Sequence, residues 1–225
     1  MTPAAAYTGD VSPGGPADVR ELPGLRVTKL SVGTFDNNVY LLRCSETGDT
    51  VLVDGAAEAE RLLAELGDDR LTAIVQTHGH WDHVQAVAEL RAATGAPLRC
   101  HAADLPMMPA GHSPSLISDG ELVPVGATGV RAIHLAGHTP GGLAFLYDAD
   151  GALDASPHLF SGDSLFPGGP GRTTDPDEFA SLMGDLETKI FGPLPDATWV
   201  YPGHGKDTTL GAERPSIPEW RARGW

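Results

Sequence analysis

Apolar and polar positions first organise as short runs: LRVTKLSVG over 25–33, NVYLLRC over 38–44 and TVLVDGA over 50–56. Their β-branched content and the intervening DNN and SETGD turn signals predict three consecutive strands. AEAERLLAELG (57–67) shifts to the helical period and ends in glycine, and LTAIVQTH (71–78) is an apolar run that predicts a buried strand. DHVQAVAELRAATG (82–95) predicts a second helix and PLRCHA (97–102) a short strand. Strand patterns return at VRAIHLA (130–136), GLAFLYD (142–148) and HLFSGD (158–163). PDEFASLMGDLETKIF (176–191) predicts a helix with proline near its start, and TWVYPG (198–203) a last strand. Consecutive strands, alternating strands and helices, and a closing helix and strand predict a sheet-rich core with helices outside. No internal repeat or compositional break divides the chain, so 25–225 reads as one domain behind a flexible Pro- and Gly-rich arm over 1–24. Residues 103–120, with MMPAGHSPS, read as a mobile loop.

A chain of 225 residues can bury roughly 70% of its unfolded surface, so it needs no covalent staples. Fifteen basic residues against thirty acidic ones give a net charge of −15. Nothing in that balance releases counterions from a phosphate backbone, which argues against nucleic acid as partner. Cys44 and Cys100 stand far apart without CxxC spacing, so they read as small buried apolar residues in a reducing compartment. The first 24 residues lack the basic and apolar regions of a signal peptide, and no apolar run reaches membrane-spanning length. A cytoplasmic protein acting on a small molecule is expected; its oligomeric state is left open.

The chemistry concentrates in QTHGHWDHVQAV, residues 76–87, where His78, His80, Asp82 and His83 fall within six positions. Three imidazoles and a carboxylate this close repel when protonated and are costly to desolvate unpaired, so a cation among them is the natural partner. His78 and His80 lie at a strand end with period-two spacing, and Asp82 and His83 at a helix entrance, so all four can face one cleft. Three further segments run a strand into a glycine-bounded polar residue: HLAGHTPGG with His138, LFSGDSLF with Asp163 and VYPGHG with His204. Singly, Asp82 is an ordinary helix cap, Asp163 a turn residue and His204 a loop histidine. Jointly, five histidines and two aspartates make a dense nitrogen and oxygen ligand set. Trp81, inside the motif, reads as a wall of the cleft. His134 and His158 read as structural residues within strands, while His101 and His112 lie near the cleft without a ligand role.

In this order, THGHWDH, GHTPGG, GDSLF and PGHG resemble the metallo-β-lactamase superfamily, and within it the glyoxalase II-like hydrolases and the related persulfide dioxygenases. The resemblance covers about residues 25 to 210. It implies an αββα sandwich of two mixed β-sheets flanked by helices, with a metal site at one edge of the sheets. It further implies that His78, His80 and His138 bind one metal, that Asp82, His83 and His204 bind a second, and that Asp163 bridges them. Asp54, in LVDGA, matches a supporting aspartate that binds no metal. Two divalent ions, zinc first and iron or manganese as alternatives, would generate a bridging hydroxide at neutral pH and stabilise an oxyanion. Asp82 and Asp163 are then the catalytic carboxylates, with Asp82 orienting the water.

Departures from the resemblance shape the substrate expectation. The glycine-preceded Asp163 as bridge argues against antibiotic hydrolysis. Full-length glyoxalase II enzymes continue into a helical domain that grips glutathione, whereas this chain stops 21 residues after His204 and has GKDT where an aromatic pair is expected. The basic residues are 12 Arg and 3 Lys, which with abundant Ala, Gly and Pro suggests a GC-rich genome. The leading expectation is therefore a hydrolase of thioesters of a low-molecular-weight thiol, with mycothiol or bacillithiol in place of glutathione. A mononuclear iron persulfide dioxygenase using His78, His138 and Asp163 is second and a lactonase third. Arg172, in GGPGRTT (168–174), and Lys206 are the candidate substrate contacts.

Overall fold

Strict alternation within the strands decides the architecture of the computed structural model, which describes residues 6–149 and 156–224. The first sheet holds β1 (Asp18–Leu22), β2 (Leu25–Val32), β3 (Asn37–Cys44), β4 (Thr50–Val53), β5 (Leu71–Val75), β6 (Leu98–Cys100) and β7 (Ser115–Leu116) in that spatial order. It is antiparallel from β1 to β4 and parallel from β4 to β7. The second sheet contains β8 (Leu122–Val125), β9 (Thr128–His134), β10 (Leu143–Tyr147) and β11 (His158–Gly162). After the small ribbon of β12 (Leu165–Phe166) and β13 (Gly169–Pro170), it is completed by β14 (Trp199–Pro202) and β15 (Thr208–Thr209). Only β11 and β14 run parallel in this sheet.

Val51 and Val53 of β4 face Phe145, Phe160 and Tyr201 of the second sheet, and this shared apolar layer is the centre of the molecule. Leu52, between those valines, points the opposite way. There it meets Leu62 and Leu66 of α1 (Ala59–Leu66), and Val84, Val87 and Leu90 of α2 (Trp81–Val84) and α3 (Val87–Thr94). Ala144 and Leu159 likewise turn outward onto Leu182, Met183, Leu186 and Trp220. Those four belong to α4 (Pro176–Asp185), its π-helical continuation 186–191 and the C-terminal α6 (Ile217–Arg223), which follows a short α5 (Leu210–Glu213). Period-two burial on both strand faces thus yields helix, sheet, sheet, helix in layers, the αββα sandwich expected.

Three local expectations change. The helix expected over 82–95 is two helices, because Ala86 N–H donates to Gly55 O and Gln76 Nε2 donates to His83 O at the break between them. The expected loop over 103–120 begins with a 3₁₀ turn, Ala102–Met107, whose Asp104 is completely buried. The arm expected to be flexible over 1–24 is, from residue 6 onward, docked; its first five residues lie outside the described residues.

That docking has a specific cause. β1 pairs with β2 along its whole length, and Tyr7 packs edge-on against Trp199. Tyr7 OH donates to Asp207 Oδ2 at 2.7 Å, and the Arg20 guanidinium lies 4.3 Å above the Trp199 ring. Lys29, fully buried, spends its three protons on Gly9 O (2.7 Å), Gly205 O (2.8 Å) and Asp207 Oδ1 (2.7 Å). Burial raises the Asp207 carboxyl pKa, partly offset by Lys29. Removing one member of a buried ion pair leaves the other uncompensated, so Asp207→Ala should destabilise the protein by about 3–5 kcal/mol in urea unfolding. A change near zero would show that the arm and Lys29 contribute nothing to the fold.

Candidate metal centre

Two short hydrogen bonds close the sandwich at one end: Leu143 N–H donates to Thr77 O at 2.7 Å and Asn38 N–H to Gly203 O at 2.7 Å. Each joins one sheet to the other, and the seven residues read as ligands gather at this seam. His78 and His80 follow β5, Asp82 and His83 sit in α2, His138 precedes β10, Asp163 follows β11 and His204 follows β14. The approach depends on glycine. A Cβ on Gly203 would lie 2.1 Å from Asp163 Oδ1 and 3.0 Å from His83 Cε1, so a side chain there would displace the carboxylate. Gly162 has φ +49°, and a Cβ there would stand 2.5 Å from Thr77 Cβ.

Donor atoms of His78, His80 and His138 lie within 4.8 Å of one another, and so do those of Asp82, His83 and His204. Asp163 stands between the groups: its Oδ2 is 3.4 Å from His138 Nε2, 3.5 Å from His204 Nε2 and 4.0 Å from His78 Nε2. Its Oδ1 is 3.5 Å from His83 Nε2.

Hydrogen bonds on the far side of each ring fix which nitrogen faces inward. His83 Nδ1 donates to Asp54 Oδ2 (2.9 Å), His138 Nδ1 to Arg172 O (2.7 Å) and His204 Nδ1 to Phe35 O (2.8 Å). Thr77 Oγ1 donates to Asp54 Oδ2 (2.7 Å), leaving its oxygen to accept from His78 Nδ1 at 3.0 Å. In their neutral form, the one a metal ion requires, all four rings therefore present a bare Nε2 to the centre. His78 Nε2, His138 Nε2 and Asp163 Oδ1 are buried with no hydrogen-bond partner, and His83 Nε2 lies only 3.1 Å from His204 Nε2. Lone pairs buried face to face are unfavourable unless a cation separates them, so the donor set fits divalent metal.

Charge follows the same geometry. Burial, then the neighbouring His83, holds the His78 pKa well below the usual imidazole value. Burial opposes protonation of His204 too, but its contact with Asp163 prevails and pushes the pKa up to about 9. Burial works against the Asp163 carboxylate, yet the His138 and His204 contacts hold its pKa well below the normal range. Asp54 also falls within ligand distance of His78 and His83. Its oxygens, however, already accept from Thr77 N (2.7 Å), Thr77 Oγ1 and His83 Nδ1. It anchors Thr77 and the His83 ring, and it does so from a left-handed backbone with φ 62°.

Several contributors escape a reading by motif. Asn37 Nδ2 donates to Asp82 Oδ2 at 2.9 Å. Asp104 accepts from Gly79 N (2.9 Å), Thr139 Oγ1 (2.8 Å) and Gly141 N (2.6 Å), tying both histidine-bearing segments to one carboxylate. Trp81, 60% exposed, meets Phe35 edge-on at 5.4 Å and forms an apolar rim. Lys206, read as a substrate contact, pairs with Asp10 of the arm at 3.0 Å, with both side chains exposed. His158 bonds Tyr201 OH at 2.9 Å within the core. His134 donates to Pro140 O and stacks on His101, with ring centroids 4.1 Å apart, while His112 contacts Arg91.

A family model described as the metallo-beta-lactamase superfamily matches residues 32–204. Hydroxyacylglutathione hydrolase GloC of Haemophilus influenzae is 29% identical over 86% of this chain and 97% of its own length. The hydroxyacylglutathione hydrolase of Fuscovulum blasticum is 37% identical over 75% of this chain, which spans only 62% of that longer relative. Among solved structures, TTHA1623 in a di-iron-bound form is 34% identical with a TM-score of 0.69, covering 85% of this chain and 99% of that one. The BLEG-1 B3 metallo-beta-lactamase is 29% identical with a TM-score of 0.71, over 86% and 98%. Among the described residues no helix is long and apolar enough to cross a membrane.

Proposed function

The chain belongs to the metallo-beta-lactamase superfamily, and on that premise we propose that it is a dinuclear hydrolase of thioesters of a low-molecular-weight thiol. His78, His80 and His138 would hold one divalent ion, Asp82, His83 and His204 the other, with Asp163 shared. The observation that carries this reading is the set of inward Nε2 atoms on anchored rings, with His78 Nε2, His138 Nε2 and Asp163 Oδ1 left without protein partners. Bound there, zinc, or iron or manganese in its place, supplies Lewis acidity toward a carbonyl oxygen and acidifies water toward a pKa of about 7.

The chain's own groups supply the rest. Asp54 and Thr77 lock the His78 and His83 tautomers, so those rings need no reorganisation when substrate arrives. Asp82, held by Asn37, is the carboxylate placed to orient attacking water and accept its proton. The Phe35–Trp81 rim limits solvent at the opening. Replacing Asp54 by Asn removes a charge from the partner of the His83 ring and of the Thr77 hydroxyl that in turn holds His78. Chelator competition should then show metal affinity reduced by roughly 10–100-fold; an unchanged affinity would remove Asp54 from the account.

Relatives named for hydroxyacylglutathione support the thioester class. The Haemophilus influenzae relative bears that name over a length this chain matches almost end to end. Glutathione therefore returns as a thiol carrier beside bacillithiol and mycothiol, in the reducing cytoplasm where such thiols accumulate. Single-iron persulfide chemistry at His78, His138 and Asp163 remains the second reading, since those residues serve both. Zinc-loaded protein should release thiol and acid from an acyl-thioester without consuming oxygen. Activity confined to the iron form with persulfide and oxygen would replace this reading with the second.

A further inference from the structure

Each proposed ion draws its ligands from both sheets, so each depends on how one sheet is held against the other. His78 and His80 follow β5 of the first sheet, and His138 precedes β10 of the second. Asp82 and His83 lie in α2, which also follows β5, while His204 comes from the end of β14 in the second sheet. At both crossings a fully buried charged side chain from outside the ligand motifs joins the two sides: Asp104 at the first and Lys29 at the second.

Asp104 accepts from Gly79 N–H, between His78 and His80, at 2.9 Å, and from Thr139 Oγ1 and Gly141 N–H, just beyond His138, at 2.8 and 2.6 Å. Lys29, in β2, places two of its three protons on the His204 loop: on Gly205 O at 2.8 Å, next in sequence to His204, and on Asp207 Oδ1 at 2.7 Å. The third goes to Gly9 O of the arm at 2.7 Å. A buried ammonium is costly to desolvate, and an aliphatic side chain would fill the inner face of a strand without that cost, so the charge answers to its three acceptors. The arm fits closely against this lysine and its partner. Thr8 N–H, Thr8 Oγ1 and Gly9 N–H all donate to Asp18 Oδ2, at 2.9, 3.0 and 3.0 Å, and Asp18 stands opposite Lys29 in the pairing of β1 with β2. Gly9 has φ +71°, and a Cβ on it would lie 2.3 Å from Asp207 Oδ2, the oxygen that Tyr7 OH reaches.

We propose that Lys29 is the positioning residue of the ion at Asp82, His83 and His204, that Asp104 is that of the ion at His78, His80 and His138, and that the N-terminal arm is thereby linked to the second ion alone. This rests on the two-ion part of the proposed function and on no particular substrate. His204 Nε2 lies 3.1 Å from His83 Nε2, so a small displacement of Gly205 changes the gap between two donors that one ion has to span. Linkage makes the effect mutual: a seated arm that favours the second ion is itself held in place by that ion, by the same factor.

The test titrates zinc into the metal-free full-length chain against a competing chelator and follows hydrogen exchange of the backbone amides of residues 7–18 at each step. Lys29→Met with Asp207→Asn removes both charges of the pair, so no buried ion is left uncompensated. This double variant should weaken one of the two zinc affinities by roughly 10–100-fold, as loss of an outer partner does. Asp104→Asn, which sets an amide N–H against donors that now meet a carboxylate, should weaken the other by a similar factor. His204→Ala, which leaves the first trio standing, tells the ions apart: its remaining ion should respond to Asp104→Asn and not to the double variant. Both affinities falling alike in each variant, or neither falling, would show that Lys29 and Asp104 serve the fold alone and overturns the assignment. If the double variant does not fold, the unaltered chain decides. Exchange across 7–18 should then slow at least about fivefold, the low end of ordinary coupling, when the site missing from His204→Ala fills, and not when the other fills. Equal slowing by both ions, or none, overturns the link. A parent chain that takes one ion or none sinks the two-ion reading itself and this inference with it, a result visible before any substitution is made.

Discussion

Asp163→Ala should cost the protein at least one metal ion per chain and lower hydrolysis by well over about 100-fold, beyond what loss of an outer-shell partner usually does. The reason is position. Asp163 has one oxygen within 3.5 Å of both His138 Nε2 and His204 Nε2, and its other oxygen 3.5 Å from His83 Nε2, so it touches both halves of the ligand set. It is also the carboxylate whose contacts with His138 and His204 hold its own pKa well below normal and help raise that of His204. Without it, a cluster of imidazoles loses the negative charge best placed to offset two cations. The backbone there is secured independently by Gly203 N–H donating to Gly162 O at 2.9 Å, so the variant should still fold. Elemental analysis and circular dichroism together decide the matter. Metal content unchanged in a folded Asp163→Ala protein would mean that the carboxylate is not shared.

His204→Ala carries the second large effect and separates the two chemistries. Its ring is anchored through Phe35 O, while Nε2 approaches His83, Asp163 and Asp82 at 3.1, 3.5 and 3.6 Å. His78, His80 and His138 do not depend on it. A hydrolase needing both ions should fall in rate by orders of magnitude and retain about one ion, because the first trio still stands. The loop itself should hold, since Lys29 and Asn38 both donate to Gly205 O, at 2.8 and 2.9 Å. Activity that survives this substitution would point to chemistry at the first trio alone.

How much of this was legible in the sequence depends on distance along the chain. Alternation in LVD, LAFLY and HLF was enough for two sheets with covered faces, because the inward and outward residues of each strand differ in partner but not in kind. The ligand motifs were legible because each lies where a strand stops and glycine admits a close approach. The docked arm was not: Tyr7 and Asp207 are 200 positions apart, and their bond leaves no local periodicity. One trace existed in Lys29, a charged residue within an otherwise buried strand. Asp104 looked like part of a polar loop because its partners, Gly79, Thr139 and Gly141, become neighbours only after both sheets have formed. Lys206 follows His204 by two positions, and no local pattern announces that its side chain pairs with Asp10 of the arm.

A chain that holds two ions and uses both to cleave a thioester can be caught doing both at once. Protein stripped by chelator and reloaded with zinc under nitrogen, then given a glutathione thioester, tests it in one vessel. Close to two zinc ions per chain are expected, with free thiol and carboxylic acid released in equal amounts and a rate unaffected by the absence of oxygen. A single ion per chain with no thiol released, and turnover restored only by iron, persulfide and oxygen, would contradict it.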